Sequence, residues 1–293
     1  MTRIYAGVHR QKTIRPRTGG ACIKSSPNYT IGPAFSQRQK TIRPRTGGAC
    51  IKVPPTYTKG PALICKSVED MLQPQWRDFR GMLVQRSQIP LDIQEAVDRL
   101  SKSGAFGRDQ SAQEEVMLPW WDCSSSDAEQ WFARDLSMKA LRLAAFAVLH
   151  GLPKEAGFRI QNDCQEIGMV LAKLVPSARK VILKLNIMGE STCSRWHRDY
   201  YLGRAVVTYN GRGTEFVDND NVNMEELENK GSNESIIPDE SKIQTTKIGD
   251  VLFMKGVLYP SATNGLVHKS PELCWHADGT IANRLLLKVD IDL

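Results

Sequence analysis

The stretch RWHRDYYLGRAVVTYNGRGTEF, residues 195–216, places a His-x-Asp tripeptide directly before two segments typical of β-strands. The runs RAVVTY and TEFV flank the turn sequence NGRG, residues 210–213, whose Asn and Gly residues tolerate the positive φ of a tight turn. The sequence therefore predicts a β-hairpin here. On a strand, residues two positions apart point to the same face, so His197 and Asp199 can present an imidazole and a carboxylate to one metal ion.

Apolar segments on both sides of this stretch predict further strands. KVILKLNIM (residues 180–188) alternates as a strand with one buried face does, VLFMKGVLY (251–259) follows a Gly-Asp turn, and RLLLKVDI (284–291) comes near the end of the sequence. A C-terminal half made of strands, turns and loops indicates a β-sandwich or barrel. We expect this barrel to pack against the helices that precede it.

Three helices are predicted upstream of these strands. The first runs from Asp92 to about Gly104, and the second begins with the capping residue Ser126 and ends at Gly151. The third ends before Pro176 and has an apolar stripe at three- and four-residue spacing, formed by Ile160, Cys164, Ile167, Leu171 and Leu174. Such stripes are core positions, so the predicted fold class is α+β.

The first 66 residues differ from the rest in charge and contain a direct repeat. They hold thirteen of the 39 Lys and Arg residues and no Asp or Glu, so the remainder is mildly acidic. The sequence RQKTIRPRTGGACIK occurs at 10–24 and again at 38–52, and its Pro and Gly residues interrupt any long helix. Three interpretations stay open: a disordered tail, a transit peptide, and an arm that binds the phosphates of a nucleic acid.

We therefore divide the chain into a basic arm, residues 1–66, and one globular domain, residues 67–293. Within that domain we expect residues 67–176 to be helical and 177–293 to form the barrel. A polar excursion at 218–245, with eight Asp or Glu residues, interrupts the strands. Long loops of this kind are often functional, and we interpret this one as a rim over the mouth of the barrel.

The spacing of the cysteines and the hydropathy of the sequence indicate the cellular compartment. The seven cysteines include no C-x-x-C pair, which argues against a disulfide framework or a structural zinc site and favours a reducing compartment. No apolar run approaches the length of a membrane span, and the N-terminus has no apolar signal segment. We expect a soluble, cytoplasmic protein, unless the arm directs it to an organelle.

Several catalytic classes lack their sequence signatures. There is no G-x-S-x-G elbow, no phosphate-binding loop with Gly-Lys-Ser/Thr, and no G-x-G-x-x-G after a strand. Cys193 lies four residues before His197, but no third group is in place to orient such a pair for nucleophilic catalysis. A metal site is the remaining chemical hypothesis.

A metal site needs a third ligand, and the choice of histidines is small. Of the five in the sequence, His268 in GLVHKSP and His276 in CWHADG lie close to the last predicted strand. Two imidazoles and one carboxylate form the facial triad that holds Fe(II) while leaving coordination positions open. The residues themselves leave both histidines as candidates for the third ligand.

The order of these features resembles the double-stranded β-helix, or jelly roll, of the cupin-like Fe(II)/2-oxoglutarate-dependent oxygenases. His-x-Asp is followed by GDVLF, a histidine and an arginine on the last strand. The resemblance implies that His197, Asp199 and His268 bind the metal, with His276 as the alternative distal ligand. It also implies that Arg284 binds the far carboxylate of 2-oxoglutarate. Tyr209 is a candidate hydrogen-bonding partner of that cosubstrate, the other interpretation being that it fills the barrel mouth.

A more specific resemblance covers about residues 85–293. The blocks WHRDYYLGRAVVTYNGRGTEF, GDVLFMKGVLYP, GLVHKSP and RLLLKVDI are similar, in the same order, to those of the family called domain of unknown function 1826. That family name carries no reaction, so the resemblance bears on the fold and the site. The basic arm lies outside it.

Two functional hypotheses follow. The first is an Fe(II)/2-oxoglutarate-dependent oxygenase-like enzyme acting on an unidentified small molecule or protein side chain, with no catalytic residue predicted beyond the metal ligands. The second is a non-catalytic cupin-like protein that binds zinc or a small ligand and takes part in metal homeostasis. The type of bound metal and the binding of 2-oxoglutarate distinguish them.

Overall fold

The computed structural model describes residues 60–103, 111–119, 126–189, 192–260 and 264–293. All of these residues belong to one compact unit, Val53–Leu293. The direct repeat and the rest of the basic arm up to residue 59 lie outside the described residues. Residues 60–66, which we assigned to the arm, contain the first strand.

Ten strands form two sheets in the described part of the chain. They are β1 (Ala62–Cys65), β2 (Gly81–Val84), β3 (Ser111–Met117), β4 (Lys180–Met188), β5 (Gly203–Thr208), β6 (Glu215–Val217), β7 (Gln244–Thr245), β8 (Val251–Lys255), β9 (Val267–Lys269) and β10 (Arg284–Asp292). The large sheet has the order β1-β2-β8-β5-β10-β4-β3, and the small sheet has the order β7-β6-β9. Among these ten strands, β1 and β2 pair in parallel and the other pairs are antiparallel.

Three long helices, α1 (Leu91–Ser103), α2 (Ser126–Leu149) and α3 (Lys154–Leu174), contact the large sheet. Their positions match the predicted helices, and α2 ends where Gly151 adopts a φ of 103°. Two short helices follow later, α4 (Met224–Glu228) and α5 (Asn233–Ile236). Among the described helices, none has the length and apolar character to cross a membrane. The architecture is a mixed α+β fold with a large mixed sheet.

The two faces of the large sheet contact different partners. On β10, the odd-numbered residues from Leu285 to Ile291 belong to the main apolar core together with buried residues of α3. Leu286 points the other way and packs against Phe216 and Leu266. We call this second face, turned toward the small sheet, the inner face. The register of β5 and β10 places on it Arg204, Val206, Thr208, Leu286, Lys288 and Asp290.

The predicted hairpin over residues 210–213 is wrong. β5 and β6 belong to different sheets, so the turn carries the chain from one sheet to the other. The Asn210 amide nitrogen donates to Asp98 (2.7 Å) and to the carbonyl of Asn283 (2.9 Å), contacts made far away along the chain. At Gly213 a Cβ atom would lie 1.9 Å from the carbonyl oxygen of Thr246, so only glycine fits. These contacts fix a crossing between sheets.

Two further segments differ from the prediction. Residues 67–176 are not helical throughout, because β2 and β3 lie among the helices. The polar excursion at 218–245 contains α4, α5 and β7. Its apolar residues Leu227 and Ile236 pack with Trp196 and with Val217 and Val267 of the small sheet. Because the neighbouring Phe216 packs toward the inner face, the excursion covers the outer face of the small sheet.

Candidate metal centre

The side chains of His197, Asp199 and His268 converge beside the small sheet. One potential ligand atom from each lies within 4.8 Å of the other two. His197 Nε2 is 3.6 Å from Asp199 Oδ1, and His268 Nε2 is 3.6 Å from Asp199 Oδ2. Two ligands that each lie about 2.1 Å from one ion can be at most about 4.2 Å apart, so both distances fit a shared metal.

Backbone pairing brings the two histidines together. His197 N donates to His268 O and His268 N donates to His197 O, both at 3.0 Å, which is the pattern of directly opposed residues in an antiparallel ladder. Their rings are 4.5 Å apart between centroids. Asp199 follows two residues later on the same face. A close approach at Gly256, where a Cβ would lie 1.9 Å from Tyr201 O, holds the chain beyond Asp199 against the large sheet.

The hydrogen bonds of the two rings leave the same nitrogen free on each. His197 Nδ1 lies 2.8 Å from the carbonyl oxygen of Arg195, and His268 Nδ1 lies 3.0 Å from that of Leu266. A carbonyl can only accept, so each Nδ1 carries a proton and each neutral ring has its lone pair on Nε2. Both Nε2 atoms face Asp199. This is the arrangement by which proteins orient histidines as metal ligands.

The electrostatics of His268 and Asp199 match the protonation states that a metal requires, whereas those of His197 favour the protonated ring. Burial lowers the pKa of His268 to about 4, against the attraction of Asp199, so this ring is neutral near pH 7. Burial opposes ionisation of Asp199, but hydrogen bonding to His197 and the charges of His268 and Arg204 outweigh it and lower the pKa of the carboxyl well below its usual range. Burial also lowers the pKa of His197, but its contacts with Asp199 and Arg195 outweigh this and raise it above 6.5.

These pKa shifts predict how metal binding depends on pH. Since the pKa of the His197 ring is raised above its ordinary value, a proton competes with the metal once pH falls through that pKa, and below it affinity should drop by about tenfold per pH unit. His268 adds a second competing proton only near pH 4. Isothermal titration of the apoprotein with Co(II) between about pH 5 and 8 measures the slope. An affinity independent of pH over this range would contradict imidazole ligation.

A cluster of charged side chains on the inner face adjoins the three candidate ligands. Arg204 Nη1 donates to Asp199 Oδ2 (2.9 Å), and its other nitrogens bind Asp290. Lys184 Nζ also donates to Asp290, at 3.0 Å. Lys288 is next to them, where burial and then repulsion by Arg204 lower its pKa. One signal of this cluster is visible in the sequence, since charged residues alternate with apolar ones in β4 and β10.

Arg284 lies at the start of β10, on the same face as Lys288 and Asp290 by strand alternation. It is 6% exposed, and its Nη1 donates to the carbonyl oxygen of Arg212 (2.9 Å). Its Nη2 is buried and has no hydrogen-bond partner among the described residues, and the same holds for the hydroxyl of Thr208. Burial lowers the pKa of Arg284 to about 10. The inner face therefore holds two buried donors that lack a partner among the described residues, apart from the candidate ligands.

Tyr209 does not belong to this group. Strand alternation turns it toward the helices, where it lies in the main core, 1% exposed, and its hydroxyl donates to Asp163 Oδ2 of α3 at 2.7 Å. The expectation that Tyr209 binds a cosubstrate fails because its side chain is on the opposite face of the large sheet from Arg204 and Thr208. Its position agrees with a packing role.

The Tyr209→Phe variant separates these two roles. A buried hydrogen bond to a charged acceptor contributes about 1.5–3 kcal/mol, so we expect the free energy of unfolding in urea to fall by about that amount. Binding of Co(II) and of 2-oxoglutarate should match the unsubstituted protein. A selective loss of 2-oxoglutarate binding, with unchanged stability, would show that Tyr209 reaches the cosubstrate after all.

The alternative distal ligand, His276, lies elsewhere. It follows Trp275, which forms an isolated bridge with Ile281, and its backbone nitrogen donates to Thr280 O (2.8 Å). Its Nε2 has no hydrogen-bond partner among the described residues. Within the described part of the chain, the group of side chains able to share an ion consists of His197, Asp199 and His268, without His276. The geometry thus brings His268 to the site.

Comparisons with known proteins give a family and distant structural likenesses. No curated protein matches the chain. Similar solved structures include JOX2 in complex with 2OG, Fe and JA, with 9% identity, coverage of 80% of this chain and 74% of that one, and a TM-score of 0.30. Another is a C-terminally truncated protein of Neurospora crassa in apo form, with 11% identity, coverage of 80% and 94%, and a TM-score of 0.32.

Neither TM-score is high enough to establish a common fold. The family comparison is more extensive, since the model described as "Protein of unknown function (DUF1826)" matches residues 80–290. This range contains the three candidate ligands, Arg204 and Arg284. The chain therefore belongs to the DUF1826 family.

Proposed function

We propose that the protein is an Fe(II)/2-oxoglutarate-dependent oxygenase-like enzyme. The observation that carries this proposal is the convergence of His197, Asp199 and His268, with both Nε2 atoms free and turned toward one carboxylate. Two imidazoles and one carboxylate are the ligand set that would hold Fe(II) with coordination positions left open for a cosubstrate and oxygen.

The order of the strands supports a double-stranded β-helix as the finer description of the fold. Next to each other in the large sheet are β4, β10, β5 and β8, and the small sheet has the order β9, β6, β7. The bridge of His197 to His268 adds a fourth segment beside β9. Two facing four-stranded layers result. Successive segments of the chain alternate between the layers, except that β6 and β7 both lie in the small sheet. The proposed metal ligands lie in the layer formed by the small sheet.

The inner face offers a place for the far carboxylate of the cosubstrate. Thr208 Oγ1 and Arg284 Nη2 are buried donors that lack a partner among the described residues, and leaving such donors unpaired is costly. Arg284 is six residues from Asp290 on β10, which is about 20 Å at roughly 3.3 Å per residue. Asp290 and its partner Arg204 lie at the end of β10 that is next to the proposed metal ligands, Arg284 lies at the other end of the strand, and Lys288 lies between them. We assign the carboxylate contact to Arg284, assisted by Thr208. Because 2-oxoglutarate is much shorter than the strand between Asp290 and Arg284, Lys288, which lies nearer Asp290, is the alternative contact.

Each residue of the proposed site then has a defined role. His197, Asp199 and His268 hold the ion, and the carbonyls of Arg195 and Leu266 keep both rings in the correct tautomer. Arg284 orients the cosubstrate through a charge-assisted contact. The apolar inner-face cluster of Phe216, Leu266 and Leu286 excludes water from the space between the sheets. When bound, Fe(II) would mediate the reduction of oxygen by electrons from 2-oxoglutarate, which is oxidised to succinate and carbon dioxide, and from the substrate C–H bond, which is oxidised.

The visible spectrum tests this proposal. The apoprotein is loaded without oxygen with Fe(II) and then with 2-oxoglutarate, and we expect the charge-transfer band of the chelate to develop. The His197→Ala variant should give no band, because it lacks a metal ligand. The absence of the band in the unsubstituted protein, together with tight retention of zinc, would overturn the oxygenase proposal in favour of a zinc-binding cupin-like protein.

A further inference from the structure

Arg204, the second residue of β5, binds two carboxylates at the same time. Its Nη1 donates to Asp199 Oδ2 at 2.9 Å. Its Nε donates to Asp290 Oδ1 at 2.5 Å and its Nη2 to Asp290 Oδ2 at 3.0 Å, so that Asp290 is held by two parallel hydrogen bonds. The guanidinium therefore joins a proposed metal ligand to a carboxylate of the neighbouring strand.

Asp290, the second carboxylate bound by Arg204, is held in a fixed orientation. The Asp290 side chain is fully buried, and it receives a third hydrogen bond from Lys184 Nζ at 3.0 Å. A buried carboxylate with three donors keeps its orientation, because removing a partner of a buried charge is strongly unfavourable. The Arg204 guanidinium also lies over the ring of Tyr201, 4.6 Å from its centroid. Planar guanidinium geometry transmits this fixed orientation to Asp199.

From this geometry we propose that Arg204 is a positioning residue for the metal centre. Its contact with Asp199 Oδ2, the oxygen that also lies 3.6 Å from His268 Nε2, sets how the carboxylate is turned between the two imidazoles and hence how Asp199 binds the metal. The inference rests on the proposed metal site and adds to it the residue that sets how Asp199 binds. Arginine suits the role because lysine, a single point donor, cannot bind Asp290 through two nitrogens and Asp199 through a third.

Metal titration of the full chain tests the inference without any turnover. Co(II) is added to the apoprotein, and its visible d–d bands report both affinity and coordination geometry. In the Arg204→Gln and Arg204→Lys variants we expect the Kd for Co(II) to rise by about 10- to 100-fold, the usual effect of removing a partner of a metal ligand, and the bands to shift.

Arg198→Gln is the matched control. It removes an arginine charge that lies between His197 and Asp199 in the sequence, but the Arg198 guanidinium binds Asn264 O and Glu228 rather than Asp199. Its Co(II) affinity and spectrum should equal those of the unsubstituted protein. Should the Arg204 variants not fold, Asp290→Asn loosens the anchor of Arg204 while leaving Asp199 and Arg204 in place. We expect a smaller loss of affinity from it in the same direction.

The outcomes separate this inference from the proposed function. If the unsubstituted protein binds no Co(II), the metal site itself is wrong. If it binds Co(II) and the Arg204 and Asp290 variants keep the same Kd and spectrum while losing only thermal stability, the metal site stands. In that case Arg204 is a structural residue and the positioning role is overturned.

Discussion

Replacing His268 by alanine is expected to lower the affinity for Fe(II) or Co(II) by more than about 100-fold, since loss of a partner to a metal ligand alone costs 10- to 100-fold. The Nε2 of His268 is one of the two imidazole nitrogens that face Asp199 at 3.6 Å. Isothermal titration of the anaerobic apoprotein measures the effect. Circular dichroism of the variant checks the fold, because His268 is 5% exposed and its removal leaves a cavity.

His276→Ala is the matched control for this prediction. The residue is a histidine of the same C-terminal region, outside the group of described side chains that can share an ion. Its replacement should leave metal affinity unchanged. The opposite pattern, with binding lost in His276→Ala and retained in His268→Ala, would show that the distal ligand has been assigned to the wrong histidine.

Replacing Arg284 by alanine is expected to abolish tight binding of 2-oxoglutarate while metal affinity stays the same. Removing one partner of a desolvated charged contact costs about 2–5 kcal/mol, which raises the Kd by roughly 30-fold or more. The variant also removes a buried guanidinium whose Nη2 has no partner among the described residues. Titration of the Fe(II)-loaded protein, followed by the charge-transfer band, measures the Kd for 2-oxoglutarate.

Arg212→Ala serves as its control, because it removes a neighbouring exposed guanidinium and keeps the backbone carbonyl that accepts from Arg284. We expect no change in the Kd for 2-oxoglutarate. Lys288→Met tests the other cation on this face. If Lys288→Met weakens 2-oxoglutarate binding as strongly as we expect for Arg284→Ala, and Arg284→Ala has no effect, the carboxylate contact belongs to Lys288.

Elements with long, regular apolar patterns could be predicted from the sequence. The helices α1, α2 and α3 and the strands β4, β5, β8 and β10 lie where the periodicity placed them. The strands of the small sheet have two or three residues each. The sequence predicted β6, within TEFV, whereas β7 and β9 are too short for a pattern to be recognised. The crossing at residues 210–213 depends on contacts of Asn210 with Asp98 and Asn283, residues 112 and 73 positions away. Local turn chemistry does not contain that information.

The candidate site likewise has parts that local sequence predicts and parts that depend on contacts distant in the chain. The spacing of His197 and Asp199 is local, whereas the pairing with His268 depends on the topology of the small sheet. The alternation of residues along β5 could have shown that Tyr209 does not face the cosubstrate. The polar residues Arg204 and Thr208 mark the inner face of this strand, and Tyr209, one position after Thr208, points to the opposite face. The role of Arg204 could not be predicted, since its carboxylate partners lie 5 and 86 positions away and meet only in the folded protein.

The most direct test of the proposed metal centre is a crystal structure of the full chain grown with Mn(II), with anomalous differences recorded at a wavelength where manganese scatters strongly. We predict one dominant peak between the three side chains, about 2.0–2.3 Å from His197 Nε2, His268 Nε2 and one oxygen of Asp199. A dominant peak at His276, or a protein saturated with Mn(II) that shows no peak at these three residues, would contradict it.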